Sequence, residues 1–489
     1  MIIGAGPAGL TAAYELSQAG IGATVLEKGD RVGGLARTET YKGYRMDIGG
    51  HRFFSKVDVV QAMWRDILGP DLLKRPRLSR IYYDRRMFLY PLRFGDALSR
   101  LGWIESARIV ASYAASKLFP HRPEVSFEDW VSNRFGRRLF QIFFKSYTEK
   151  VWGLPCDQIS AQWAAQRIQN LSLPRAVRNS LSGQRNGQVK SLIQEFEYPR
   201  LGPGMLWERV ADIVDSRGGQ VRKNTEAVAV KLRNGRASEV VVRTRGREES
   251  IACDALISTM PISELIAKLE PPPPVDLRSD SARLSYRDFL TVALIINRAE
   301  VFPDNWIYVH TPDVQVARIQ NFKNWSPDMV ADPARTCLGL EYFCQTGDRL
   351  WQMDDVDLIR MSAEELVQLG LVNAGDVEDG VVFRQPKAYP VYTGAYKVYL
   401  DRIRRYLEAL PNIQTIGRNG LHMYNNQDHS MLTAMLAVKN LLGESHDLWS
   451  VNVERAYHEE VRLLTPAAGR RRLRTVRRAI GSVEAAPVE

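Results

Sequence analysis

The sequence predicts an α/β fold in which a Rossmann-like nucleotide-binding domain carries an inserted helical domain and an antiparallel β-sheet domain. Three observations lead to this prediction. A glycine-rich turn joins an apolar segment to an apolar-periodic helix near residue 4, a helical pattern fills residues 96–195, and strand-like alternation fills residues 276–399. Residues 456–489 are expected to form a flexible basic tail. The nucleotide-binding domain is expected to be discontinuous, with its three parts at residues 1–95, 196–275 and 400–455.

The first element is a short buried strand that runs into Gly4-Ala5-Gly6-Pro7-Ala8-Gly9. Gly4, Gly6 and Gly9 have the spacing of a dinucleotide-binding turn, which needs a tight bend, a close backbone approach to a pyrophosphate and close helix–strand packing. The helix predicted from Leu10 to Ala19 would point its N-terminus at the phosphates. A second strand ends at Glu27 and Lys28, where the Glu27 carboxylate can accept hydrogen bonds from an adenosine ribose. This order of elements predicts a bound dinucleotide.

A second glycine pair indicates which dinucleotide is expected. Gly33, Gly34 and Leu35 follow Glu27 closely, and another backbone approach there suits the extended pyrophosphate of FAD better than a nicotinamide nucleotide. An NAD dehydrogenase with a glycine loop is the less favoured alternative. The segment Asp47-Ile48-Gly49-Gly50-His51 then follows a predicted strand, and its two glycines would let backbone and imidazole lie against a flat ring. We therefore predict an FAD cofactor that Gly49 and Gly50 contact.

The composition excludes several other classes of protein. The 489 residues are 45% hydrophobic and 25% charged, which is ordinary for a globular protein. Of the net charge of +10, half lies in residues 461–489, where seven arginines face two glutamates, so a nucleic-acid partner is not expected. This tail could also touch an anionic membrane surface, although a solvated tail is the favoured interpretation. No apolar run approaches the roughly 18 residues of a membrane span.

The cysteines and histidines indicate neither a disulfide framework nor a metal site. Four cysteines lack CxxC spacing, and the seven histidines form no ligand cluster. We expect reduced thiols, a cytoplasmic location and no bound metal, and a homo-oligomer is left open.

The middle of the chain alternates between helical and strand-like segments. A long amphipathic helix is predicted from Ser126, with Asp129 completing a capping box, to Trp152. Polar residues 183–190 are expected to form a mobile loop. Within the strands predicted at residues 221–243, Val228 would offer its backbone to the adenine, and the buried strand at residues 255–259 ends at Met260. Further strands are predicted at residues 287–297, 306–310, 314–322, 337–343 and 381–392.

The C-terminal part returns to the nucleotide-binding domain. A final strand at residues 413–416 is followed by Gly417 and Arg418. The polar segment Asn425-Asn426-Gln427-Asp428-His429-Ser430 then precedes an apolar helix predicted at residues 431–442. The N-terminus of that helix would point at the isoalloxazine ring or the ribityl chain.

With these motifs the chain resembles the UDP-galactopyranose mutases, specifically their long, eukaryotic-type branch, up to about Val438. The glycine turns alone are also similar to those of amine oxidases, carotenoid desaturases and protoporphyrinogen oxidases. The motifs that carry the resemblance are Asp47 through His51, Tyr90-Pro91, Lys150-Val151-Trp152, Trp163 through Arg167, Tyr198-Pro199, Ser258-Thr259-Met260, Arg318, Tyr389-Pro390 and Asn426 through Ser430.

The resemblance implies an isomerase that interconverts the pyranose and furanose forms of a nucleotide sugar. In this family, N5 of reduced FAD attacks the anomeric carbon and the nucleoside diphosphate leaves, after which the sugar closes as the five-membered ring. The implied partners are reduced FAD and a nucleotide-sugar substrate, with NAD(P)H as an external reductant. Such chemistry requires a nucleophile held below the sugar and a cationic clamp on the departing pyrophosphate.

The resemblance also implies roles for individual residues. Arg167 and Arg318 resemble the arginines that clamp the diphosphate, for which a planar guanidinium fork is well suited. His51 resembles the histidine near the flavin N5, and Arg418 the arginine close to flavin and sugar. The implied substrate-binding residues are Tyr90, Arg93, Tyr147, Thr148, Trp152, Tyr308, Trp325, Tyr389 and Tyr424. The predicted cofactor-binding residues are Gly4, Gly6, Pro7, Ala8, Gly9, Glu27, Lys28, Gly33, Gly34, Leu35, Gly49, Gly50, Val228, Met260, Gly417, Arg418, Asn426, Gln427 and Ser430.

Three positions depart from the pattern of the mutases. Arg93 replaces a glutamine beside the uracil, Thr148 replaces an asparagine, and Trp325 replaces a tyrosine of the sugar site. The base pocket is therefore expected to differ, so that the donor need not be UDP-galactose.

Two other functions are weighed against the mutase. A flavin oxidoreductase of the amine oxidase or desaturase type would have an apolar tunnel or an aromatic cage without paired arginines. A catalytically silent nucleotide-sugar binder would keep the clamp without turnover.

Overall fold

The computed structural model describes residues 1–92, 94–161, 195–392 and 394–452. The predicted loop at residues 183–190 and the basic tail at residues 456–489 lie outside the described residues. None of the described helices is long and apolar enough to cross a membrane. The described α-helices are Pro7–Gln18, Asp58–Leu68, Phe94–Leu101, Trp103–Leu118, Phe127–Phe135, Arg137–Phe140, Ser146–Trp152, Gly204–Ser216, Ile262–Ala267, Val275–Ala282, Phe322–Trp325, Arg349–Gln352, Asp355–Gln368, Tyr396–Glu408, Gly417–Gly420 and Gln427–Leu441.

The strands of the described residues are numbered in chain order. They are β1 (Ile2–Ile3), β2 (Thr24–Leu26), β3 (Thr38–Tyr41), β4 (Tyr44–Asp47), β5 (Leu72–Pro76), β6 (Ser79–Tyr83), β7 (Arg86–Leu89), β8 (Glu195–Pro199), β9 (Gln220–Arg222), β10 (Thr225–Arg233), β11 (Arg236–Thr244), β12 (Arg247–Ala252), β13 (Leu256–Ser258), β14 (Leu269–Glu270), β15 (Tyr286–Ile296), β16 (Trp306–Val309), β17 (Arg318–Asn321), β18 (Thr336–Cys344), β19 (Val377–Pro390) and β20 (Ile413–Thr415).

A five-stranded parallel sheet in the order β20-β13-β1-β2-β9 forms the centre of the nucleotide-binding part. The strands come from three distant stretches of the chain. The helices Pro7–Gln18 and Gln427–Leu441 pack through small residues such as Ala12 and Ala434, which are fully buried in one apolar cluster with Ile2 of β1. The predicted Rossmann-like α/β fold is confirmed.

A seven-stranded sheet in the order β19-β15-β18-β17-β16-β6-β7 forms the second large layer. Its neighbouring strands are antiparallel except for the pair β16 and β6. The predicted antiparallel sheet is therefore present, and it also takes in β6 and β7 from the N-terminal part of the chain. A four-stranded sheet in the order β12-β11-β10-β14 covers the region of the short strands predicted at residues 221–243.

Helices between residues 94 and 161 form the predicted helical region. The capping box at Ser126 is confirmed, because the Asp129 amide donates to Oγ of Ser126 at 3.1 Å and the Ser126 amide donates to the Asp129 carboxylate at 3.0 Å. The single long helix predicted up to Trp152 is wrong. The helix is interrupted at Gly136, whose φ of +86° lies outside the helical range. Residues Gln141–Lys145 then form a turn of π-helix.

Two further element bounds differ from the sequence prediction. The strand predicted at residues 314–322 is shorter in the structure and comprises only β17, because Phe322 begins a short helix. The ring of Phe322 is buried against Gly339. The last helix begins at Gln427, four residues before the predicted start, because Asn426 serves as its N-cap.

Candidate active site

The turn after β1 is shaped to bring a ligand close to the backbone. Gly4 has a φ of +97°, and a Cβ on Gly9 would lie 1.9 Å from the carbonyl oxygen of Gly4. Gly6 caps the helix Pro7–Gln18, so that the positive end of this helix faces the turn. A Cβ on Gly4 would lie 2.1 Å from Oγ1 of Thr259, so glycine at Gly4 and Gly9 lets the strand, the turn and the helix pack closely. This close packing, with the helix N-terminus facing the turn, fits the predicted dinucleotide cofactor.

Glu27 fixes the other side of this turn. Its carboxylate follows β2, and it accepts hydrogen bonds from the amides of Ala5 at 2.9 Å and Gly29 at 2.8 Å. Each carboxylate oxygen can accept a second hydrogen bond, which is available to a ribose hydroxyl. Lys28, beside it, is exposed.

The second glycine pair lies against the first turn, as predicted. The amide of Gly33 donates to the carbonyl oxygen of Ala5 at 2.8 Å, and a Cβ on Gly34 would lie 3.0 Å from Cα of Gly6. Leu35 follows in a short 3₁₀ turn. The two glycine turns therefore lie in contact, as a single pyrophosphate site would require.

The remaining predicted cofactor residues come from distant parts of the chain. Val228 lies at a β-bulge of β10, where the pairing with β11 passes from Ala227 to Ala229, so its backbone is available to another partner. A Cβ on Gly417 would lie 3.0 Å from Cβ of Ala8, which places this residue at the first helix. Met260 follows β13, Asn426 and Gln427 begin the last helix, and Ser430 is buried in its first turn.

His51 lies at the meeting point of the two layers. A Cβ on Gly49 would lie 3.8 Å from Cε1 of His51 and 3.7 Å from Nη2 of Arg318. Nδ1 of His51 donates to the carbonyl oxygen of Gly49 at 3.0 Å, because a carbonyl only accepts, and Nε2 is then the acceptor. Burial, together with the charges of Arg418 and Arg318, lowers the pKa of His51 to about 3. The imidazole is therefore neutral.

Arg318 is held in place by a buried carboxylate. Nε of Arg318 donates to Oε2 of Glu341 at 2.6 Å, and Nη2 contacts the same oxygen. Nε2 of Gln320 donates to the other oxygen, Oε1, at 2.7 Å. Glu341 is fully buried. Burial alone would lower the pKa of Arg318, but the Glu341 carboxylate raises this pKa well above its ordinary value. The guanidinium therefore stays charged.

Tyrosines surround Arg318 on several sides. The rings of Tyr90 and Tyr308 lie 4.6 Å apart, and Tyr147 meets Tyr308 edge-on at 5.5 Å. Burial raises the pKa of Tyr147 well above the ordinary value, with the Arg318 charge opposing it, so its hydroxyl stays protonated and can donate.

A second cation, Arg418, also lies near His51. The rings of Tyr389 and Tyr424 stack at 5.6 Å, and the guanidinium carbon of Arg418 lies 5.3 Å and 5.0 Å from their centres. Arg418 is fixed by donating from Nε to the carbonyl oxygen of Asn425 at 2.8 Å. Two arginines and five tyrosines predicted from the resemblance thus come together.

Other predicted substrate residues lie elsewhere or outside the described residues. Trp325 is buried among Phe196, Tyr198 and Trp306, and its indole N–H donates to the carbonyl oxygen of Asn305 at 2.9 Å. It therefore lies in the aromatic core beside Tyr308. Trp152 is buried in the helical cluster against which Tyr90, Tyr308 and Tyr424 pack, and Thr148 is buried nearby on the same helix. Arg167 and Arg93 lie outside the described residues.

Sequence reasoning missed Glu341 and Gln320. The available signal was Glu341, a carboxylate within the mostly apolar strand β18, because a buried carboxylate needs a partner. It also missed that Asp47 is a buried carboxyl group that accepts hydrogen bonds from Thr38 and Tyr198. Burial raises the pKa of Asp47 to about 7, while hydrogen bonds from Tyr198 and Thr38 oppose this rise.

The profile of the flavin containing amine oxidoreductases matches residues 7–423 of this chain, from the first glycine turn to Met423. The chain belongs to this family. The flavin containing amine oxidoreductases and their structural relatives use FAD, so the predicted cofactor is confirmed.

Curated relatives of this chain match only in part. Coproporphyrinogen III oxidase of Mycobacterium leprae (strain TN) is 38% identical over 98 residues, which are 18% of this chain and 21% of the relative. L-amino acid oxidase Cdc18 of Crotalus durissus cumanensis is 46% identical over 61 residues, which are 12% of each chain. The chain thus spans about a fifth or less of the length of these relatives.

Solved structures match over nearly the whole chain. A reduced UDP-galactopyranose mutase has a TM-score of 0.80 at 22% identity and covers 92% of this chain and 97% of its own. A putrescine oxidase bound to putrescine has a TM-score of 0.58 at 17% identity and covers 91% and 98%. At such identities the likeness establishes the fold of this flavoenzyme.

Proposed function

We propose that this flavoenzyme interconverts the pyranose and furanose forms of a nucleotide sugar, as a mutase of the cytoplasm. The observation that carries the proposal is the pair of fixed guanidinium groups, Arg318 and Arg418, close to His51. Both charges lower the pKa of His51, and because Glu341 balances the charge of Arg318, the three groups keep one net positive charge. Such a charge favours an anionic substrate and stabilises a departing diphosphate.

Arg318 retains donors for a ligand. Its pairing with Glu341 uses Nε and Nη2, and a guanidinium has five N–H groups in a planar fork. Glu341 therefore orients the fork and leaves hydrogens for phosphate oxygens. The hydroxyls of Tyr147 and Tyr308 lie beside it and would donate to the same diphosphate. By the resemblance, Arg167 would complete the clamp from the segment that lies outside the described residues.

The cofactor residues would place the isoalloxazine ring next to His51. When bound and reduced, FAD supplies a nucleophilic nitrogen for the anomeric carbon of the sugar, and NAD(P)H is the proposed reductant. His51 stays neutral and presents Nε2 as an acceptor, because its Nδ1–H is engaged with Gly49. It can therefore accept a hydrogen bond without adding a competing charge near the clamp.

The second candidate function is an oxidation like that of the amino acid and amine oxidases among the relatives. The family membership and the stacked pair Tyr389 and Tyr424 favour it, since two aromatic faces can hold an amine cation. In this chain, however, the cation over both rings is Arg418. A protonated amine would meet that charge directly. The arrangement therefore supports the anionic nucleotide sugar over an amine.

The test is turnover by the reduced holoprotein. The flavin is first reduced with dithionite in the absence of oxygen. One nucleotide sugar is then added, either UDP-galactose, a dTDP-hexose or a GDP-hexose, and the ring form of the sugar is followed by NMR. Furanose formed while the flavin stays reduced supports the mutase. Flavin reduction of the oxidised protein by an amino acid or an amine, without any furanose product from the reduced protein, would instead support the oxidase.

A further inference from the structure

One face of the helix Trp103–Leu118 is apolar and exposed. Trp103 is 81% exposed, Leu118 is 73% exposed and the following Phe119 is 80% exposed. Ile104 and Val110 are also more than half exposed. No other described segment covers these side chains. Such an apolar surface on a folded protein marks an interaction site.

The exposed residues form one continuous side of the helix. At about 100° per residue, the exposed positions fall on one half of the helical circumference. The other half packs on the helical cluster, where Ile109 is buried and Tyr113 contacts the core. The exposed half, in order around the helix, is Lys117, Val110, Trp103, Ala114, Ala107, Leu118, Ala111, Ile104, Ala115 and Arg108.

The charges at this face have one sign. Arg108 and Lys117 lie at its two edges, and between them the exposed half carries no acidic residue. The acid of this helix, Glu105, pairs with both Arg138 and Arg108, so these three side chains keep one net positive charge. Just beyond the helix end, Arg122 is exposed and adds a further positive charge. An apolar centre with basic edges is the pattern of a helix that lies in a membrane interface.

We propose that this face, defined by Trp103, Ile104, Val110, Leu118 and Phe119, docks the protein on an anionic lipid bilayer. The large side chains would enter the headgroup boundary, and the basic edges would meet lipid phosphates. Charge decides against the other occupants. A second copy packed on the same face would bring the net positive edges of both copies together. The protein's own tail carries seven arginines in residues 461–489 and has the same sign.

The test is flotation of the full-length holoprotein with lipid vesicles. We expect binding to vesicles of equal parts phosphatidylcholine and phosphatidylglycerol, and much less to phosphatidylcholine alone. The variant W103E/L118E should bind about tenfold less, because two large apolar side chains lose their place in the interface. The matched control is V275E/V356E, which adds the same charge at two valines exposed by 72% and 76% elsewhere. It should bind like the wild type, and the flavin spectrum checks the folding of both variants.

Several outcomes would overturn the proposal. One is the absence of binding to the anionic vesicles, and another is equal binding by W103E/L118E. A third is that binding is lost only in R470Q/R471Q/R472Q, which would assign it to the tail. A fourth is a wild-type dimer in light scattering that W103E/L118E dissociates, which would assign the face to a second copy.

Discussion

Arg318 and Glu341 lie directly opposite each other on the neighbouring strands β17 and β18, and the arginine donates to the carboxylate at 2.6 Å. The register of the sheet thus sets the position of the proposed phosphate-binding group. Because Glu341 is fully buried and also accepts from Gln320, the guanidinium is fixed before any ligand arrives. Such preorganisation is what electrostatic stabilisation of a leaving group requires.

Replacement of Glu341 by glutamine should impair this site. We expect kcat/KM of the proposed mutase to fall about 100-fold, because the guanidinium loses its orientation. The free energy of unfolding should also fall, by about 3 kcal/mol, as for other broken buried ion pairs. Steady-state kinetics and urea unfolding measure the two effects.

The control for this prediction is Asp304→Asn. Asp304 is equally buried and accepts from Nε of Arg80 at 2.8 Å on the same sheet. Its loss should destabilise the fold without specific loss of nucleotide binding. Equal effects of both variants on UDP binding would contradict the assigned role of Glu341.

The charge of Arg418 should be visible in the titration of His51. Burial is the main cause of the low pKa of His51, and Arg418 is the larger of the two charged contributors. In R418M the pKa of His51 should therefore rise from about 3 while staying below the ordinary 6.5. Histidine NMR, with H51N to assign the signal, measures this. R404M removes a distant arginine, near Trp449, and should leave the titration unchanged.

The protein should lose stability in acid through its buried histidines. The folded pKa of His51 lies below that of the unfolded chain, so the unfolded chain binds the proton first as pH falls from 6.5 towards about 3. Burial lowers the pKa of His310 to about 3 and of His422 to about 4, which acts in the same direction. Urea unfolding across this pH range should show the decline, with a shallower slope for H51N. An identical slope would show that His51 is not buried in the neutral form.

The glycine turn gives a direct test of cofactor binding. Gly9→Ala places a Cβ against the carbonyl oxygen of Gly4, so the helix must move away from the turn. We expect the purified variant to lack the flavin absorbance. Gly375→Ala adds the same methyl group where nothing lies within 4 Å, and it should retain FAD. Full FAD content in the Gly9 variant would argue against the assigned pyrophosphate site.

The parts of the molecule that the sequence predicted are those that local spacing determines. The two glycine turns, the acid after β2 and the capping box at Ser126 each depend on residues a few positions apart. Long-range pairing explains what was missed. Glu341 and Arg318 are brought together by strand register, and Trp325 is buried by rings from β8 and β16. The last helix was predicted to start too late because its polar first turn hides the helical periodicity that begins at Gln427.

The central proposal is that Arg318 stabilises a leaving diphosphate and does not take part in the oxidation of an amine. The most direct measurement is furanose formation by the dithionite-reduced holoprotein supplied with the nucleotide sugars named above, compared with R318M. The account predicts repeated turnover by the wild type with the flavin still reduced, and turnover at least about 100-fold slower in R318M. Undiminished turnover in R318M, or no furanose from any of these sugars while an amine reduces the oxidised flavin, would contradict it.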